Sequence, residues 1–553
     1  MASKECVGTT LGRTGGINVA AEPSAPPPVQ QVDEDTKRLH ELGYAQELDR
    51  KMSGFSNFAI SFTIISILSG CLTVYQYGLI HGGPPVMVWG WLLVGTMVIF
   101  AGLSMGEICS AYPTAGGLYY WSAKLAPGKS GPWWSWFTGW FNLLGQVAVT
   151  AGISMGCAFS VAAFLSEITG EVYWQSPGHV IGILAVILFA QGLLNTFNVR
   201  LVALLNDVSV YWHLIGVAII VVVLYWAPES GAHQSASFVF GSEGWNTFAG
   251  ISGFTAPLYV MALGMLNAQY TFTGYDASAH VSEETIRANV QAAKGIVRSI
   301  WVSLIAGFIL LVGVSWTLPV TYPVSFGGFE FTKIQDLTLS AFPWAVAFTA
   351  AAGRTIGLLL IVIVIGAQFF CGMSSVTANS RMIYAFSRDG AMPGSNFWHH
   401  VSKKRRVPVR SAWFGAVGAF VICLPYMYNY AAYWAVVGTA VIGLYIAYLT
   451  PVFLRRINPK AFVPGPYVLA QPWGAIINWI AVIWVVFICI VLLLPQASPI
   501  EILTFNYAPV VVLAVIGFAL IWWLAGARKW FKGPKIQGTP EELAAIEADL
   551  NII

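Results

Sequence analysis

Charged residues are scarce in this chain. Lys, Arg, Asp and Glu make up 10% of its 553 residues, against roughly 25% in ordinary soluble domains. Apolar residues make up 57%, so a soluble protein of this length would lack the polar side chains needed to cover its surface. The shortage of charge argues against a string of soluble domains and indicates a membrane protein with one large unit inside the bilayer.

The chain also lacks the patterns of disulfide frameworks and metal sites. Six of its seven cysteines lie inside apolar runs, and no CxxC motif occurs, so neither a disulfide scaffold nor a zinc site is predicted. No HExxH motif of an intramembrane metalloenzyme is present. We predict that the protein is not an enzyme, that it holds no metal and no cofactor, and that it does not bind nucleic acid.

Twelve apolar runs are long enough to cross a bilayer, which takes about 20 residues per helix. We number them helix 1 to helix 12, at 55–80, 84–111, 132–165, 178–198, 200–227, 253–282, 296–320, 346–387, 408–428, 430–454, 474–495 and 505–529. Basic residues mark the cytosolic side of membrane proteins. With the N-terminus inside, only Lys333 and Arg354 of the 28 Lys and Arg fall outside. We therefore predict a multi-pass protein of the plasma membrane with both termini in the cytosol.

Three regions are predicted along the chain. Residues 1–50 form a cytosolic tail that is mostly disordered, because residues 22–31 hold four prolines and the tail has no apolar run of useful length. Residues 51–530 form the twelve-helix unit. Residues 531–553 form a second cytosolic tail with a short amphipathic helix, which begins at a capping box.

Two of the twelve helices carry small or polar residues at mid-membrane. Helix 1 has Ser66, Ser69 and Gly70 near its middle, and helix 6 has a polar run at 270–276 that ends in Asp276. Close helix packing also explains small residues in helix 1. Glycine is a poor helix former, however, and an acid in apolar surroundings is rare unless it is functional. These features predict that both helices are interrupted.

The two interruptions lie at equivalent places in two five-helix blocks. Helix 1 opens the first block and helix 6 opens the second, and an odd number of helices inverts the second block relative to the first. Paired interrupted helices in inverted repeats point to a transporter site at the membrane midplane. Free N–H groups at such a break favour a carboxylate and free carbonyls favour an ammonium group. A zwitterion such as an amino acid matches both.

Three stretches of sequence carry a specific resemblance. They are LGY at 42–44 with FSNFAISF at 55–62, MGEICSAYPTAGGLYYW at 105–121, and SSVTANSRM at 374–382 with FSRDGAMP at 386–393. These stretches resemble the amino acid–polyamine–organocation superfamily of permeases, and within it the amino acid/choline branch with its γ-aminobutyrate permease-like members. The resemblance extends over roughly residues 40–530.

The resemblance implies an all-α membrane protein with five-plus-five inverted repeats and two extra helices. Repeat one would span about 54–227, repeat two about 253–454 and the extra helices about 474–529. The resemblance also implies alternating access, in which a bundle of helices 1, 2, 6 and 7 moves against the remaining scaffold. The substrate-binding residues carried over from it are Ser66, Ile67, Leu68, Ser69 and Gly70 in helix 1, Asn142 and Gln146 in helix 3, and Tyr270, Thr271, Thr273 and Gly274 in helix 6.

Further polar residues are candidates for coupling or gating. Asp276 follows the polar run of helix 6 and is either a partner of the substrate amine or a gating acid. Glu107, near the cytosolic end of helix 2, is either a cytosolic gate or network residue with Arg381 or Arg388, or a terminal acid that extends to the membrane surface. His213 in helix 5 is either a proton relay or a buried hydrogen-bonded histidine. Helix 5 has no lysine, although some relatives place one there.

The function predicted from these observations is secondary transport of amino acids or related amines, coupled to protons. A bidirectional facilitator or exchanger, and a choline or polyamine transporter, remain alternatives. A nutrient receptor built on a transporter fold is an alternative of another class. A channel is disfavoured because twelve unlike helices lack repeated pore segments. The expected partners are a small-molecule amino acid or amine, the lipid bilayer and protons.

Overall fold

The computed structural model describes residues 34–197, 199–228, 233–253, 256–402 and 405–549. Within these residues, eleven helical segments are long and apolar enough to cross a membrane. Predicted helix 6 supplies the twelfth crossing in three short pieces, Ala256–Gly264, Leu266–Thr271 and Ala277–His280. The prediction of an all-α membrane protein is therefore confirmed, and helix 6 is interrupted where its sequence is polar.

The remaining helices follow the predicted order. Their bounds are Gly54–Ile65, Gly70–Thr73 and Tyr75–Ile80 for helix 1, then Gly83–Ala111, Gly131–Thr169, Pro177–Leu194 and Val199–Trp226 for helices 2 to 5, and Ala288–Trp316, Pro343–Arg388, Val409–Cys423, Ala431–Ile457, Trp473–Leu493 and Ala508–Trp522 for helices 7 to 12. Helix 7 begins eight residues earlier than predicted, because its first two turns (ANVQAAKG) are helical but too polar to count as apolar.

Shorter elements connect the crossings. The additional helices are Glu34–Glu41, Gly117–Leu125, Ala236–Phe240, Ile334–Thr338, Ser395–Trp398, Arg528–Trp530 and Pro540–Asp549. A small antiparallel hairpin pairs Val324–Phe326 with Phe329–Phe331 between helices 7 and 8. The sequence analysis predicted neither the hairpin nor the helix at Gly117–Leu125.

Helices 1, 3 and 10 form the centre of the protein. In their most apolar windows 89%, 83% and 83% of the residues are buried, whereas only 17% are buried in helix 12. Helix 3 crosses helix 10 closely at Gly145 and Gly443, because a Cβ atom on Gly145 would lie 2.6 Å from the backbone nitrogen of Leu444. Small residues permit such close approach inside membranes. This crossing fixes the middle of helix 3 against helix 10.

The two predicted tails meet at one end of the bundle, which we call the inner end; the opposite end is the outer end. The backbone N–H of Gln537 donates to the Gly43 carbonyl at 2.9 Å, and the Glu547 carboxylate lies 2.7 Å from His40 Nε2. Thr539 and Glu542 make the two reciprocal bonds of a capping box at the start of Pro540–Asp549. Residues 1–33 and Leu550 lie outside the described residues.

Candidate functional site

Helix 1 is unwound at residues 66–69. Its inner half ends at Ile65 and its outer half starts at Gly70. Ser66 adopts a positive φ of 29°, which is uncommon for a residue with a side chain. The Ser66 hydroxyl lies 2.7 Å from Nε2 of His213 in helix 5 and accepts a bond from the Ser69 N–H at 3.1 Å. His213 is thus a buried, hydrogen-bonded residue that braces the interruption.

Two backbone donors at this interruption have no partner. The N–H groups of Ile67 and Leu68 donate to no atom of the described residues, and both residues are at most 1% exposed. The Ser69 hydroxyl is also buried without a hydrogen-bond partner in this part of the chain. A buried unsatisfied donor costs about 1–3 kcal/mol. Three such groups within three residues form a cradle suited to an acceptor such as a carboxylate.

Helix 6 is unwound at residues 272–276. Gly274 has a φ of 88°, and a Cβ atom there would lie 2.1 Å from the Ile64 side chain, so only glycine fits this turn. The carbonyls of Phe272 and Thr273 accept no hydrogen bond from any described residue. Free carbonyl oxygens at a buried turn attract a cationic donor such as an ammonium group.

The side chains of the predicted helix 6 residues divide into two groups. The hydroxyls of Thr271 and Thr273 donate to backbone carbonyls of their own helix, at 2.7 Å each, and so satisfy the helix end. The Tyr270 hydroxyl is buried and has no partner among the described residues; it faces Gly152 of helix 3. Tyr270 is therefore the side chain of this group that remains available to a ligand.

Gly70 lies where the two interrupted helices touch. A Cβ atom on Gly70 would lie 2.5 Å from Thr271 Oγ1 and 2.8 Å from its Cα atom. The packing explanation for small residues in helix 1 thus applies to Gly70. A larger residue there would push helix 1 away from helix 6 and would disturb both interruptions together.

Asp276 lies at the centre of a buried hydrogen-bond cluster. Gln146 of helix 3 donates to its Oδ2 at 2.8 Å, and Tyr448 of helix 10 donates to its Oδ1 at 2.7 Å. Nε2 of His280 lies 3.2 Å from the same Oδ2. The Tyr448 hydroxyl in turn accepts from the Gly274 N–H at 3.0 Å. The acid is therefore tied both to the helix 6 turn and to helices 3 and 10.

His280 is the second ionisable side chain of this cluster, beside Asp276. Its Nδ1 lies 3.0 Å from the Ala115 carbonyl, which can only accept, so Nδ1 bears a hydrogen. A hydrogen bond between Nε2 and the Asp276 carboxyl would require a proton on one of the two groups. Asn142 of helix 3 reaches the same Nε2 at 3.3 Å. His280 was not predicted from the sequence, although its spacing of four residues from Asp276 was a usable signal.

Buried ion pairs hold the inner end together. Arg381 of helix 8 pairs with Glu284 at 2.8 Å and both side chains are fully buried. Arg388 pairs with Glu283 at 3.2 Å, and its guanidinium lies 3.9 Å from the ring centre of Tyr44. Both acids follow the inner piece of helix 6, so these pairs join helix 6 to helix 8.

The predicted partner of Glu107 was wrong. Glu107 forms a two-pronged pair with Arg455 at the end of helix 10, and one of the two contacts measures 2.6 Å. Arg381 and Arg388 are not available to it, because the acids after helix 6 engage them. Glu107 therefore ties helix 2 to helix 10 at the inner end, and nothing in the local sequence pointed to Arg455.

Two of the cavities bordered by described residues open at the outer end, next to Tyr430. One, of about 450 Å³, lies beneath the hairpin and is lined by residues that include Phe159, Glu330, Phe342 and Tyr426. The other, of about 460 Å³, lies between helices 1 and 10 and the connection from helix 11 to helix 12. Tyr430 lines both. The inner end is thus held by ion pairs while the outer end keeps open space.

One hydrolase-like motif occurs in this chain, in a setting that does not fit a hydrolase. A GxSxG pattern does occur at residues 152–156, but it lies within helix 3, where Gly152 packs against Tyr270 and Gly156 against Thr73. These small residues therefore serve helix packing. In a hydrolase, the same motif forms a sharp turn between a strand and a helix. No group of three His, Cys, Asp or Glu side chains in the described part of the chain could hold a metal ion.

Comparison with known proteins agrees with this architecture. A family described as amino acid permease matches residues 52–516. The chain is 42% identical over 516 residues to amino-acid permease BAT1 of Arabidopsis thaliana, covering 92% of this chain and 97% of that protein. It is 29% identical over 527 residues to the GABA-specific permease of Saccharomyces cerevisiae, covering 93% and 88% of the two chains. The chain belongs to the amino acid permease family and is a multi-pass membrane protein of amino acid transport.

Proposed function

We propose that this protein is a secondary transporter that moves zwitterionic amino acids or related amines, such as γ-aminobutyrate, by alternating access driven by protons. The observation that carries this proposal is the complementary set of unpaired backbone groups. Ile67 and Leu68 present N–H groups, and Phe272 and Thr273 present carbonyls, that have no partner among the described residues. A zwitterion placed between the two breaks would satisfy both sets, with its carboxylate on helix 1 and its ammonium group on helix 6.

Side chains around the breaks complete the proposed substrate site. Ser69 and Tyr270 contribute buried hydroxyls without a partner among the described residues. Leu68 would present an apolar side chain beside the substrate carboxylate. Gln146 and Asn142 are occupied by Asp276 and His280, and would act on the substrate through that pair.

Asp276 and His280 are the proposed coupling residues. Three side chains already contact the Asp276 carboxyl, which favours a gating role over direct contact with the substrate amine. Loss of the shared proton would leave the carboxylate facing a ring lone pair. That repulsion would move the inner piece of helix 6 away from helix 3. The same movement would weaken the ion pairs that join this piece to helix 8.

The proposed orientation places both tails in the cytosol and the two cavities outside the cell, in the plasma membrane. The cytosolic orientation rests on the distribution of Lys and Arg. Lys333 and Arg354, the two basic residues predicted outside, both lie at the outer end, where Arg354 pairs with Glu167 at 2.6 Å. The proposed repeats, at about 54–227 and 253–454, each begin with one interrupted helix.

Uptake into proteoliposomes tests the proposed function. The purified protein should accumulate at least one labelled amino acid or amine from a panel, and an inward proton gradient should raise the accumulated amount above equilibrium. Uptake that only equilibrates, with or without the gradient, would replace proton coupling by facilitation or exchange. Failure to move any member of the panel would reject the transport proposal itself.

Asp276→Asn and His280→Gln test the coupling role. Each variant should bind substrate with near wild-type affinity but lose gradient-driven accumulation, because the shared proton can no longer be held. Binding and flux are measured on the same purified protein from pH 5 to 9. Asp207→Asn is a matched control, since this helix 5 acid is only partly buried and bonds to Ser56.

Binding separates the two roles of Asp276. If Asp276 binds the substrate amine directly, its neutralisation should lower the affinity for substrate by roughly tenfold to a hundredfold, since a bond to a charged group is worth about 1.5–3 kcal/mol. Wild-type binding and wild-type accumulation in Asp276→Asn would remove the residue from the mechanism.

A further inference from the structure

The cavity between helices 1 and 10 has features of a binding site of its own. It measures about 460 Å³, within the range of small-molecule pockets, and we call it the outer cavity. Its walls come from the outer end of helix 1, the start of helix 10, the segment before helix 6 and the connection between helices 11 and 12. The residues that line it include Tyr77, His81, Tyr430, Trp434, Gln496 and Glu501.

Two buried polar groups in this wall have no partner. The Tyr77 hydroxyl belongs to a residue that is 2% exposed, and the Gln496 amide nitrogen to one that is 8% exposed. Neither atom forms a hydrogen bond within the described part of the chain. Each unsatisfied group is costly, and both residues line the same cavity. Both can donate, so together they call for a ligand with an acceptor group.

The same cavity carries one free negative charge and aromatic walls. The Glu501 carboxylate lines it and forms no hydrogen bond or ion pair with any described residue. No Lys or Arg is among the lining residues. Tyr430 and Trp434 add two aromatic rings that pack edge to face, with their centres 5.8 Å apart, and aromatic rings attract ammonium groups. The site therefore favours a ligand with a cationic amine as well.

His81 holds the two unpaired groups in place. Its Nδ1 lies 3.0 Å from the Tyr77 carbonyl and its Nε2 lies 2.8 Å from the Gln496 carbonyl. The imidazole also stacks on the Tyr77 ring at 4.2 Å. Helix 1 and the connection between helices 11 and 12 are thus joined through one buried residue. A wall fixed in this way loses little freedom on binding.

We infer that the outer cavity is a second amino acid site, distinct from the site between the helix breaks. The carboxylate of the ligand accepts from Tyr77 and Gln496, and its ammonium group lies between Glu501 and the rings of Tyr430 and Trp434. Tyr430 also borders the neighbouring cavity, and its hydroxyl donates to Gln76 at 2.8 Å. The inference rests on the proposed function only for the class of ligand, an amino acid.

Tyr77→Phe and Glu501→Gln are the decisive variants. The protein is purified in detergent, and binding of the twenty standard amino acids and γ-aminobutyrate is followed by thermal shift and by saturation with labelled ligand. Wild-type protein should bind its best ligand at two sites per chain. Each variant should weaken one of them by about tenfold to a hundredfold, as expected for loss of a bond to a charged group.

The unfolding temperature and two control variants separate effects on binding from effects on folding. Tyr77→Phe removes a hydroxyl without a described partner, so the unliganded protein should keep its wild-type unfolding temperature. Glu330→Gln neutralises an exposed acid in the neighbouring cavity, and Tyr428→Phe changes a tyrosine that is 90% exposed. Both control variants should bind like wild type at both sites.

The outcomes distinguish this inference from the proposed function. Identical binding in wild type, Tyr77→Phe and Glu501→Gln, alongside uptake by the wild type, would overturn the outer site and leave transport standing. Tyr77-dependent binding without uptake of any panel member would support the outer site and reject transport. A single site per chain that neither variant affects would also overturn the inference.

Discussion

The inner and outer ends of the bundle are held together by opposite kinds of contact. At the inner end, arginines pair with glutamates out of contact with solvent; Arg381 and Glu284 are both fully buried. At the outer end, the ion pair between Arg354 and Glu167 leaves the arginine 61% exposed, and aromatic rings surround open cavities. Buried charges must be paired or pay a large desolvation cost, whereas apolar ring contacts can separate gradually.

This difference suits a protein in which the two ends open in turn. Glu283 and Glu284 both follow the inner piece of helix 6, so one movement of that piece would break both pairs to helix 8. Under the proposed mechanism, the inner end would then open in an all-or-none step. The outer end, with rings of Phe159, Tyr426 and Tyr430 in contact, has no equivalent set of buried charges among the described residues.

Removing one partner of a buried inner pair should have the largest effect. Glu284→Gln leaves the Arg381 charge buried without a counter-charge and should cost about 3–5 kcal/mol of stability. It should also expose an introduced Ser282→Cys to a membrane-impermeant thiol reagent from the inner side. Thermal unfolding and labelling rate measure the two effects.

Glu167→Gln is the matched change at the outer end. It breaks a pair whose arginine is exposed, while the glutamine oxygen can still accept from the Gly327 N–H, so it should cost at most about 1 kcal/mol. Equal losses of stability in Glu284→Gln and Glu167→Gln would show that burial of an ion pair does not set its contribution to stability in this protein.

Filling the contact between the two interrupted helices should have an intermediate effect. Gly70→Ala places a Cβ atom against Thr271 and should cost about 1–3 kcal/mol, as overpacking usually does. Gly182→Ala in helix 4 is the control, because nothing lies within 4 Å of its added Cβ. The control should be neutral or stabilising by up to about 1 kcal/mol. If Gly70→Ala unfolds at the wild-type temperature, the two breaks do not meet as described.

The smallest effect is expected when the pH is lowered, in the outer-end loop that contains Asp336. Hydrogen bonds from the Thr332 backbone and hydroxyl hold the pKa of the Asp336 carboxyl below its ordinary value. A depressed pKa means that these bonds stabilise the loop above the ordinary pKa of about 3.9, and that the contribution is lost as pH falls through the lowered value.

Amide exchange at Thr332 and Lys333, corrected for intrinsic rates, should therefore rise as the pH falls through and below that value. Asp336→Asn should abolish the added pH dependence. A simultaneous loss of protection at both ends would instead indicate global acid unfolding.

Much of the fold was predictable because its signals are local. The length of each apolar run gave the crossings, and the polar run at 270–276 gave the interruption of helix 6. Ser66 and Gly274 lie at unwound positions, as their neighbours in sequence suggested. Helix 7 and the hairpin at 324–331 were misjudged because their polar or short segments carry no membrane signal.

The contacts at the proposed site were less accessible to sequence reasoning. Tyr448 contacts Asp276 across 172 residues of chain, and Arg455 contacts Glu107 across 348. No local pattern marks either partner. His280 could have been found from its spacing to Asp276, and Thr271 and Thr273 looked like ligand groups although their hydroxyls cap the broken helix.

The sequence by itself determined the membrane class, the number and order of the crossings and the two places where a helix must break. The length of an apolar run and the helix propensity of its residues are properties of a single segment, so both can be derived from the sequence. Only the tertiary structure decided which buried groups are paired and which are left free. Pairing depends on where distant helices cross, and that crossing leaves the N–H groups of Ile67 and Leu68, and the Tyr77 hydroxyl, without described partners.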